Sequence, residues 1–350
     1  MTPVERVKAI LNHEKPDYVP FTIYESKVVG LPYGDELMAM DICMLRRIAS
    51  YGMSSFEQSY ESKNEALPNG HTLCSTVIHT PKGDLSYKDE LTEMTTWHSE
   101  YMFKDENDYD KLIWHYSHMD VYPIHEERRA DFLEDAKNEK VFVRDNVPHE
   151  PYQDIIDMIM GPETFCYEWM DNRERMLELL EIMRALYRKT FPIAAESPFK
   201  LIGQGGNATP EIIGRQGFRD FYMYEHAEAA QHLHAAGKLL SSHFDACNGP
   251  IMDLIAEDAV DMVEAYDAAM SPGVKEATEC FGDKILSLHF PSAWQMHDEE
   301  QIVKDTIGLI EAAKDPSRLI IGTTEDMPFD RYVPVVRGIL KGIREYGRIS

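Results

Sequence analysis

Positively charged residues are scarce in this 350-residue sequence. Its 35 Lys and Arg residues stand against 61 Asp and Glu residues, which gives a formal net charge of −26. A surface of this charge repels phosphate backbones and acidic lipids. We therefore expect neither a nucleic-acid partner nor an anionic membrane partner.

Cysteine is also scarce, and long apolar runs are missing. The five cysteines form no CxxC pair and have no regular spacing, so they indicate neither a disulfide framework nor a thiolate zinc cage. No run approaches the length of a membrane span, and the first residues lack the apolar core of a signal peptide. These features favour a protein of the reducing cytoplasm.

Short apolar runs alternate with helical periodicity over most of the chain, as in a parallel sheet covered by helices on both faces. We predict a helix over residues 42–51 and strands at about residues 20–26, 54–60, 140–146, 199–203, 237–244, 259–265, 284–289 and 318–322. The pattern predicts an α/β fold of one domain over residues 1–350, a (β/α)8 TIM barrel. A doubly wound open sheet competes, but no GxGxxG or GxxxxGK[ST] loop supports a nucleotide site.

Residues 62–123 depart from this alternation. Residues 72–79 and 84–88 have the pattern of two strands, and the turn at 80–83 joins them into a β-hairpin. We interpret residues 62–123 as a hairpin-containing insertion in the N-terminal third of the chain, either a lid or an edge sheet. We expect this insertion to pack near the mouth of the barrel.

Function is expected where the strand at residues 237–244 ends. Alternate side chains of a strand share a face, so His243 and Asp245 point the same way while Phe244 points the other way. An imidazole and a carboxylate at the carboxyl end of a strand can serve as metal ligands or as acid and base groups. A His hydrogen-bonded to a neighbouring acid for packing alone is the structural alternative.

Other polar residues follow the remaining strands, and a barrel brings all these strand ends to one mouth. Glu264 is an acid embedded in apolar sequence, where an unpaired carboxylate is costly to bury. Glu325 follows the last predicted strand and could instead be an N-terminal acid of the last helix. The candidate substrate-binding residues at strand ends are Tyr24, Asn207, Tyr266 and His289.

The sequence resembles the uroporphyrinogen decarboxylase superfamily over essentially its whole length. The residues that carry the resemblance are 6–20, 217–222, 234–238, His243 and Pro328 before a last helix. The resemblance implies a (β/α)8 barrel and one of two chemistries. These are cofactor-free decarboxylation of uroporphyrinogen, and zinc-dependent methyl transfer to or from a corrinoid carrier protein.

Two motifs distinguish these chemistries. The decarboxylases have an arginine-rich stretch near the first strand, whereas residues 20–30 contain no arginine here. The methyltransferases bind zinc through His-x-Cys and a later Cys, and this chain has His243-Phe-Asp245 and Glu325 at those positions. The resemblance therefore implies a divalent metal, zinc, held by His243, Asp245 and Glu325. Two carboxylates in place of thiolates leave a harder ion that suits an oxygen substrate.

The leading hypothesis is a metal-dependent methyltransferase that moves a methyl group from a small O-methyl donor to a corrinoid protein. His243, Glu325 and Glu264 are the predicted catalytic residues. Glu264 is either a fourth ligand or a partner that orients His243. Cys247 could supply a thiolate, which would weaken the case for an oxygen substrate. The corrinoid is expected to be carried by the partner protein.

Two other functions stay open. One is a metal-free lyase or decarboxylase on the same barrel, with His243 and the acids as acid and base. The other is a non-catalytic barrel that binds a small ligand. The sequence leaves open the methyl donor, the identity of the metal, the cognate corrinoid protein and whether the chain forms a homo-oligomer.

Overall fold

The computed structural model describes residues 1–349, which form two compact units. The barrel unit consists of residues 1–50, 124–147 and 194 onward, and the second unit consists of residues 51–123 and 148–193. Strands and helices are numbered in chain order through both units. Nothing in this division tests the prediction of one domain over residues 1–350, which stays a prediction.

Eight parallel strands within the described residues close the barrel. They are β1 (Phe21–Tyr24), β2 (Cys43–Ile48), β9 (Val141–Asn146), β10 (Leu201–Gly206), β11 (Leu239–His243), β12 (Met262–Asp267), β13 (Ile285–His289) and β14 (Leu319–Thr323). Neighbours in this list pair with each other, and β14 pairs with β1 to complete the ring. The predicted (β/α)8 TIM barrel is therefore confirmed.

Helices alternate with these strands in the barrel unit. They are α1 (Pro3–Leu11), α2 (Gly34–Ala39), α4 (Glu126–Asp135), α9 (Pro210–Gly217), α10 (Met223–Ala235), α11 (Met252–Glu257), α12 (Val274–Cys280), α13 (Glu299–Ala312) and α14 (Tyr332–Tyr346). Short 3-10 turns lie at Glu25–Lys27, Gly249–Ile251, Ser292–Met296, Pro316–Arg318 and Phe329–Arg331, and a π-helical turn lies at Phe218–Tyr222. No helix within residues 1–349 is long and apolar enough to cross a membrane.

Helix α1 belongs to the same apolar core as the first residues of the strands. Thr2 caps the helix through a capping box with Glu5, and Pro3 occupies its first turn. The buried face of α1 clusters with barrel residues at Leu45, Phe142, Leu201, Leu239, Met262, Ile285 and Ile320. Apolar burial thus anchors the amino-terminal part of the strands and leaves their carboxyl ends for polar groups.

The second unit is antiparallel in its sheets. Strand β3 (Tyr51–Ser54) pairs with β8 (Asp120–Pro123), and a four-stranded sheet contains β4 (Ser59–Ala66), β5 (Thr72–Thr80), β6 (Gly83–Leu91) and β7 (Thr96–Glu100). The helices are α3 (Asp108–Ser117), α5 (Pro151–Asp154), α6 (Pro162–Asp171), α7 (Arg173–Tyr187), the π-helical Ile155–Met160 and α8 (Thr190–Ala195), which ends in the barrel unit. The predicted hairpin is confirmed as β5 and β6.

Two local predictions are wrong. Residues 42–51 were predicted as a helix but form β2, because a short buried apolar run has the same pattern in a helix and in a strand. The predicted second barrel strand at 54–60 instead covers the last residue of β3, the connection and the first two residues of β4, all in the second unit. The second unit contains residues 51–61 and 148–193 in addition to the predicted insertion at residues 62–123.

Candidate metal site

The inward face of the barrel changes from apolar to polar along the strands. Because side chains alternate, Arg144 follows Phe142 on the inner face, and Glu264 follows Met262. Gly203 on β10 leaves room for this layer, since a Cβ there would lie 3.0 Å from Cζ of Arg144. The polar layer therefore lies at the carboxyl ends of the strands.

His243, Asp245 and Glu325 form a cluster in this polar layer. Nε2 of His243 lies 3.6 Å from Oδ2 of Asp245 and 3.8 Å from Oε1 of Glu325. One ligand atom from each residue lies within 4.8 Å of the other two. Within residues 1–349, neither Glu264 nor Cys247 joins this cluster. The structure thus brings together the three residues that were predicted as metal ligands.

Strand pairing and a glycine turn hold the His243 backbone in place. The Asn207 N–H group donates to the His243 carbonyl at 3.0 Å. Gly206 has a φ of +123°, and a Cβ there would lie 2.1 Å from the same carbonyl oxygen. Only glycine tolerates both conditions. The backbone of this turn therefore packs directly against that of His243.

The Tyr24 hydroxyl group connects His243 to Glu264. It donates to Oε1 of Glu264 at 2.8 Å, and its oxygen lies 3.4 Å from Nδ1 of His243. Because the hydroxyl group donates its hydrogen to Glu264, its oxygen can accept a hydrogen bond from Nδ1–H of His243. When the ring is neutral, Nε2 is then the nitrogen that carries the lone pair, and it faces Asp245 and Glu325. Glu264 thus contacts His243 through Tyr24.

Arg144 neutralises Glu264 inside the barrel. The two side chains are 6% and 3% exposed and form an ion pair, and Nη1 of Arg144 also donates to Oγ of Ser241 at 3.1 Å. Burial alone would raise the pKa of Glu264, but Arg144, His243 and the Tyr24 hydroxyl group together outweigh burial and lower it. Sequence reasoning missed Arg144. A charged residue within the apolar run of residues 140–146 was the available signal.

The loop after β11 is held by Asn248, which sequence reasoning also missed. Its Nδ2 group donates to the carbonyls of Phe244 and Ala246 at 2.9 and 2.8 Å. Phe244 is fully buried, with its ring 6.1 Å from that of Phe218. The opposite orientations predicted for His243 and Phe244 agree with their burial. Asn248 thereby fixes the turn that carries Asp245.

Glu325 is supported from β13. The Thr324 hydroxyl group donates to Oε1 of Glu325 at 3.2 Å, while its backbone N–H donates to Nδ1 of His289 at 3.2 Å. Nε2 of His289 lies 3.0 Å from Oγ of Ser292. Both ring nitrogens of His289, a predicted substrate-binding residue, are therefore engaged by protein groups. Burial lowers the pKa of His289 and favours its neutral form.

The other predicted substrate-binding residues have different surroundings. Asn207 is exposed and has a φ of +53°. Tyr266 is fully buried, and its hydroxyl group donates to the Pro272 carbonyl at 2.7 Å. Its ring lies edge-on to Phe281. Tyr24 contacts the cluster directly, Asn207 contacts it through the backbone, and the polar atom of Tyr266 is already occupied.

The three clustered residues attract one another strongly. Burial alone would lower the pKa of His243, but Asp245 and Glu325 outweigh it and raise this pKa to about 9. The interaction with His243 lowers the pKa of Glu325 to about 2. In the metal-free protein at neutral pH, an imidazolium group therefore lies between carboxylates. A bound cation would take the place of its Nε2 proton.

The donor set and its spacing fit a divalent ion. Tetrahedral coordination with bonds of about 2.1 Å places neighbouring ligand atoms about 3.4 Å apart. The observed separations of 3.6 and 3.8 Å from His243 need little adjustment to reach that value. The Glu325 side chain is 43% exposed, so the cluster is open to a ligand. Three protein ligands with one open position are the usual arrangement of a catalytic zinc site.

Comparison with known proteins extends the result on the fold. No family model matches the sequence, and no protein of curated function matches it. Among solved structures, a methyltransferase from Methanosarcina mazei is similar, with a TM-score of 0.59 and 11% identity over 99% of each chain. A putative vitamin-B12 independent methionine synthase from Listeria monocytogenes gives 0.41 and 16% over 64% of this chain and 70% of that chain. The first similarity shows a shared fold along the whole chain.

Proposed function

We propose that this protein is a metal-dependent methyltransferase that takes a methyl group from a small O-methyl donor and passes it to a separate corrinoid protein. The observation that carries the proposal is the open cluster of His243, Asp245 and Glu325 at the carboxyl mouth of the barrel. The motif resemblance favours methyl transfer as the reaction, and the fold shared with a methyltransferase is consistent with it.

The ligand chemistry supports an ether oxygen as the reacting atom. Nε2 of His243 and the carboxylates of Asp245 and Glu325 would hold the ion. A divalent ion held by these ligands would be a hard Lewis acid, and it would supply polarisation of an ether oxygen and stabilisation of negative charge on it. In the transfer, the C–O bond breaks with its electron pair left on oxygen. The partner's corrinoid would supply the acceptor for the methyl group, and the oxygen group that is left would take a proton from water.

The surrounding residues prepare His243 for this role. Tyr24 accepts from Nδ1 of His243, which keeps the Nε2 lone pair directed toward the carboxylates. Arg144 keeps Glu264 ionised, and ionised Glu264 in turn fixes the Tyr24 hydroxyl proton. In this proposal Glu264 orients His243 through Tyr24 and is not a metal ligand.

A metal-free lyase or decarboxylase is the second candidate. The observation that favours it is that the cluster already contains a positive charge without an ion, because protonated His243 lies between Asp245 and Glu325. An imidazolium group at the barrel mouth can act as a general acid. The two candidates therefore differ in whether a stoichiometric ion is bound.

Metal content distinguishes the candidates directly. Protein purified without chelator should contain about one divalent ion per chain by elemental analysis, and the His243→Ala variant should lose it. His234→Ala is the matched control, because His234 is a surface histidine whose Nε2 lies 2.8 Å from Asp261. It should retain the ion. A wild-type protein that binds no ion even after incubation with zinc would refute the proposal and favour the metal-free lyase.

A further inference from the structure

Strand β4 of the second unit is a long and uncovered edge of its sheet. It pairs with β5 along one side, without interruption from Ser59 to Ala66. Its other side has no paired strand within residues 1–349. Every residue of β4 is exposed. The outward backbone N–H and C=O groups of β4 can therefore form a ladder of hydrogen bonds with another strand.

The opposite edge of the same sheet is protected in ways that β4 is not. Strand β7 has only five residues, and a register shift between Lys88 and Asp89 interrupts its pairing with β6. Short length and bulges are two means by which proteins keep edge strands from pairing. Strand β4 has eight residues, contains no proline and pairs with β5 in one continuous register. Charged side chains can also prevent pairing, so the arrangement of the charges on β4 decides what it accepts.

The charges of β4 alternate in sign along one face. Glu61, Lys63 and Glu65 share this face because side chains alternate along a strand. Two copies of β4 that pair antiparallel are related by a two-fold axis, and residues equally far from the axis lie opposite each other. An axis at Ser62 places Glu61 opposite Lys63 twice, once in each direction. An axis at Lys63 instead places Lys63 opposite itself and Glu61 opposite Glu65.

Pairing about Ser62 is the register that the charges favour. Alternate residues of β4 direct their backbone groups outward, so the axis passes through a residue and not between two. An axis at Glu61 brings two glutamates together. An axis at Asn64 avoids like charges but covers only residues 62–66. An axis at Ser62 covers residues 59–65, and opposite charges directly across an antiparallel pair stabilise it, whereas like charges destabilise it.

The surroundings of β4 allow this pairing. Glu61 is 78% exposed, although its Oε1 atom lies 3.6 Å from Nε2 of His79, so it can contact a second copy. The net charge of −26 opposes association of two copies. At about 0.15 M salt, however, exposed charges more than about 8 Å apart are largely screened. Side chains in direct contact across the two strands lie within that distance and still attract each other.

We propose that β4 pairs with β4 of a second copy of this chain, antiparallel and about a two-fold axis at Ser62. The two four-stranded sheets then form one continuous sheet, and the contact closes as a dimer because the same edge is used on both sides. This inference goes beyond the proposed function and does not depend on it, since β4 lies in the second unit and the metal cluster lies in the barrel unit.

Charge reversal tests both the surface and the register. Sedimentation equilibrium of the full chain at physiological ionic strength should show a monomer–dimer equilibrium for the wild type. Glu61→Lys turns both charge pairs into Lys–Lys pairs, and Lys63→Glu turns both into Glu–Glu pairs. Each substitution should weaken dimerisation about 10- to 100-fold. Lys275→Glu, at an exposed position of α12, is the control for net charge and should dimerise as the wild type does.

A mixture of the two variants is the decisive measurement. Glu61→Lys chains and Lys63→Glu chains restore opposite charges at both pairs when they meet. An equimolar mixture should therefore form a heterodimer, although each variant alone is largely monomeric. The heterodimer also shows that both variants are folded. A wild type that stays monomeric, a Glu61→Lys variant that dimerises like the wild type, or a mixture that associates no better than the separate variants would each overturn the inference.

Discussion

Replacement of Arg144 by methionine should destabilise the barrel unit more than any surface arginine substitution. Arg144 and Glu264 are 6% and 3% exposed, so water cannot replace the lost guanidinium. The variant must either keep an uncompensated buried carboxylate or protonate it. Breaking a buried ion pair from one side costs about 3–5 kcal/mol. Arg46→Met removes an arginine of the neighbouring strand β2 from partly exposed ion pairs and should cost about 0–1 kcal/mol.

The double variant Arg144→Met/Glu264→Gln tests the cause. It contains no buried charge at this position, and the glutamine oxygen can still accept from Tyr24. We expect it to be more stable than Arg144→Met alone, with a coupling energy of several kcal/mol in the double-mutant cycle. Urea unfolding followed by circular dichroism gives the free energies, and hydrogen exchange of β12 assigns the transition to the barrel unit.

The pH dependence of the stability difference between the wild type and Arg144→Met provides an internal check. In the wild type the pKa of Glu264 is lowered, so its contribution to stability is present above the unfolded pKa of about 4.5 and is lost as pH falls. In Arg144→Met burial should raise this pKa, so the variant gains stability as pH falls from 7 toward 5. The two stabilities should therefore converge at acid pH. A cost no larger than that of Arg46→Met, or additive single-variant costs, would contradict the reasoning.

Three further predictions concern the cluster. Tyr24→Phe should weaken zinc affinity about 10- to 100-fold in a chelator competition titration, because Nδ1 of His243 loses its acceptor; unchanged affinity would exclude this role. Zinc affinity should fall about tenfold per unit as pH falls from 9 to 7, because His243 has a pKa of about 9 and must lose its proton; a flat calorimetric profile would argue against its ligation. Gly206→Ala should lower both stability and metal content, because its Cβ would clash with the His243 carbonyl. Gly282 has a φ of +61° but open space around it, so Gly282→Ala should lose only about 1 kcal/mol of stability and retain the metal. Equal effects of the two substitutions would refute the steric argument.

The sequence by itself determined the barrel fold and the common face of His243 and Asp245 in the site. Buried apolar runs recur with the period of strands, and this local property predicted seven of the eight barrel strands near their observed positions. Strand alternation likewise placed His243 and Asp245 on one face, because that relation depends only on neighbouring residues. The second barrel strand was missed where a short apolar run at residues 42–51 fits two periods equally well.

Only the tertiary structure decided which groups meet across the barrel. Tyr24 and His243 are 219 residues apart, and Arg144 and Glu264 are 120 residues apart. No local pattern encodes these contacts, since they arise when β14 pairs with β1 and the ring closes. Closure of the ring places Tyr24, a predicted substrate-binding residue, within hydrogen-bond distance of His243. It also pairs Glu264 with Arg144, which sequence reasoning had missed.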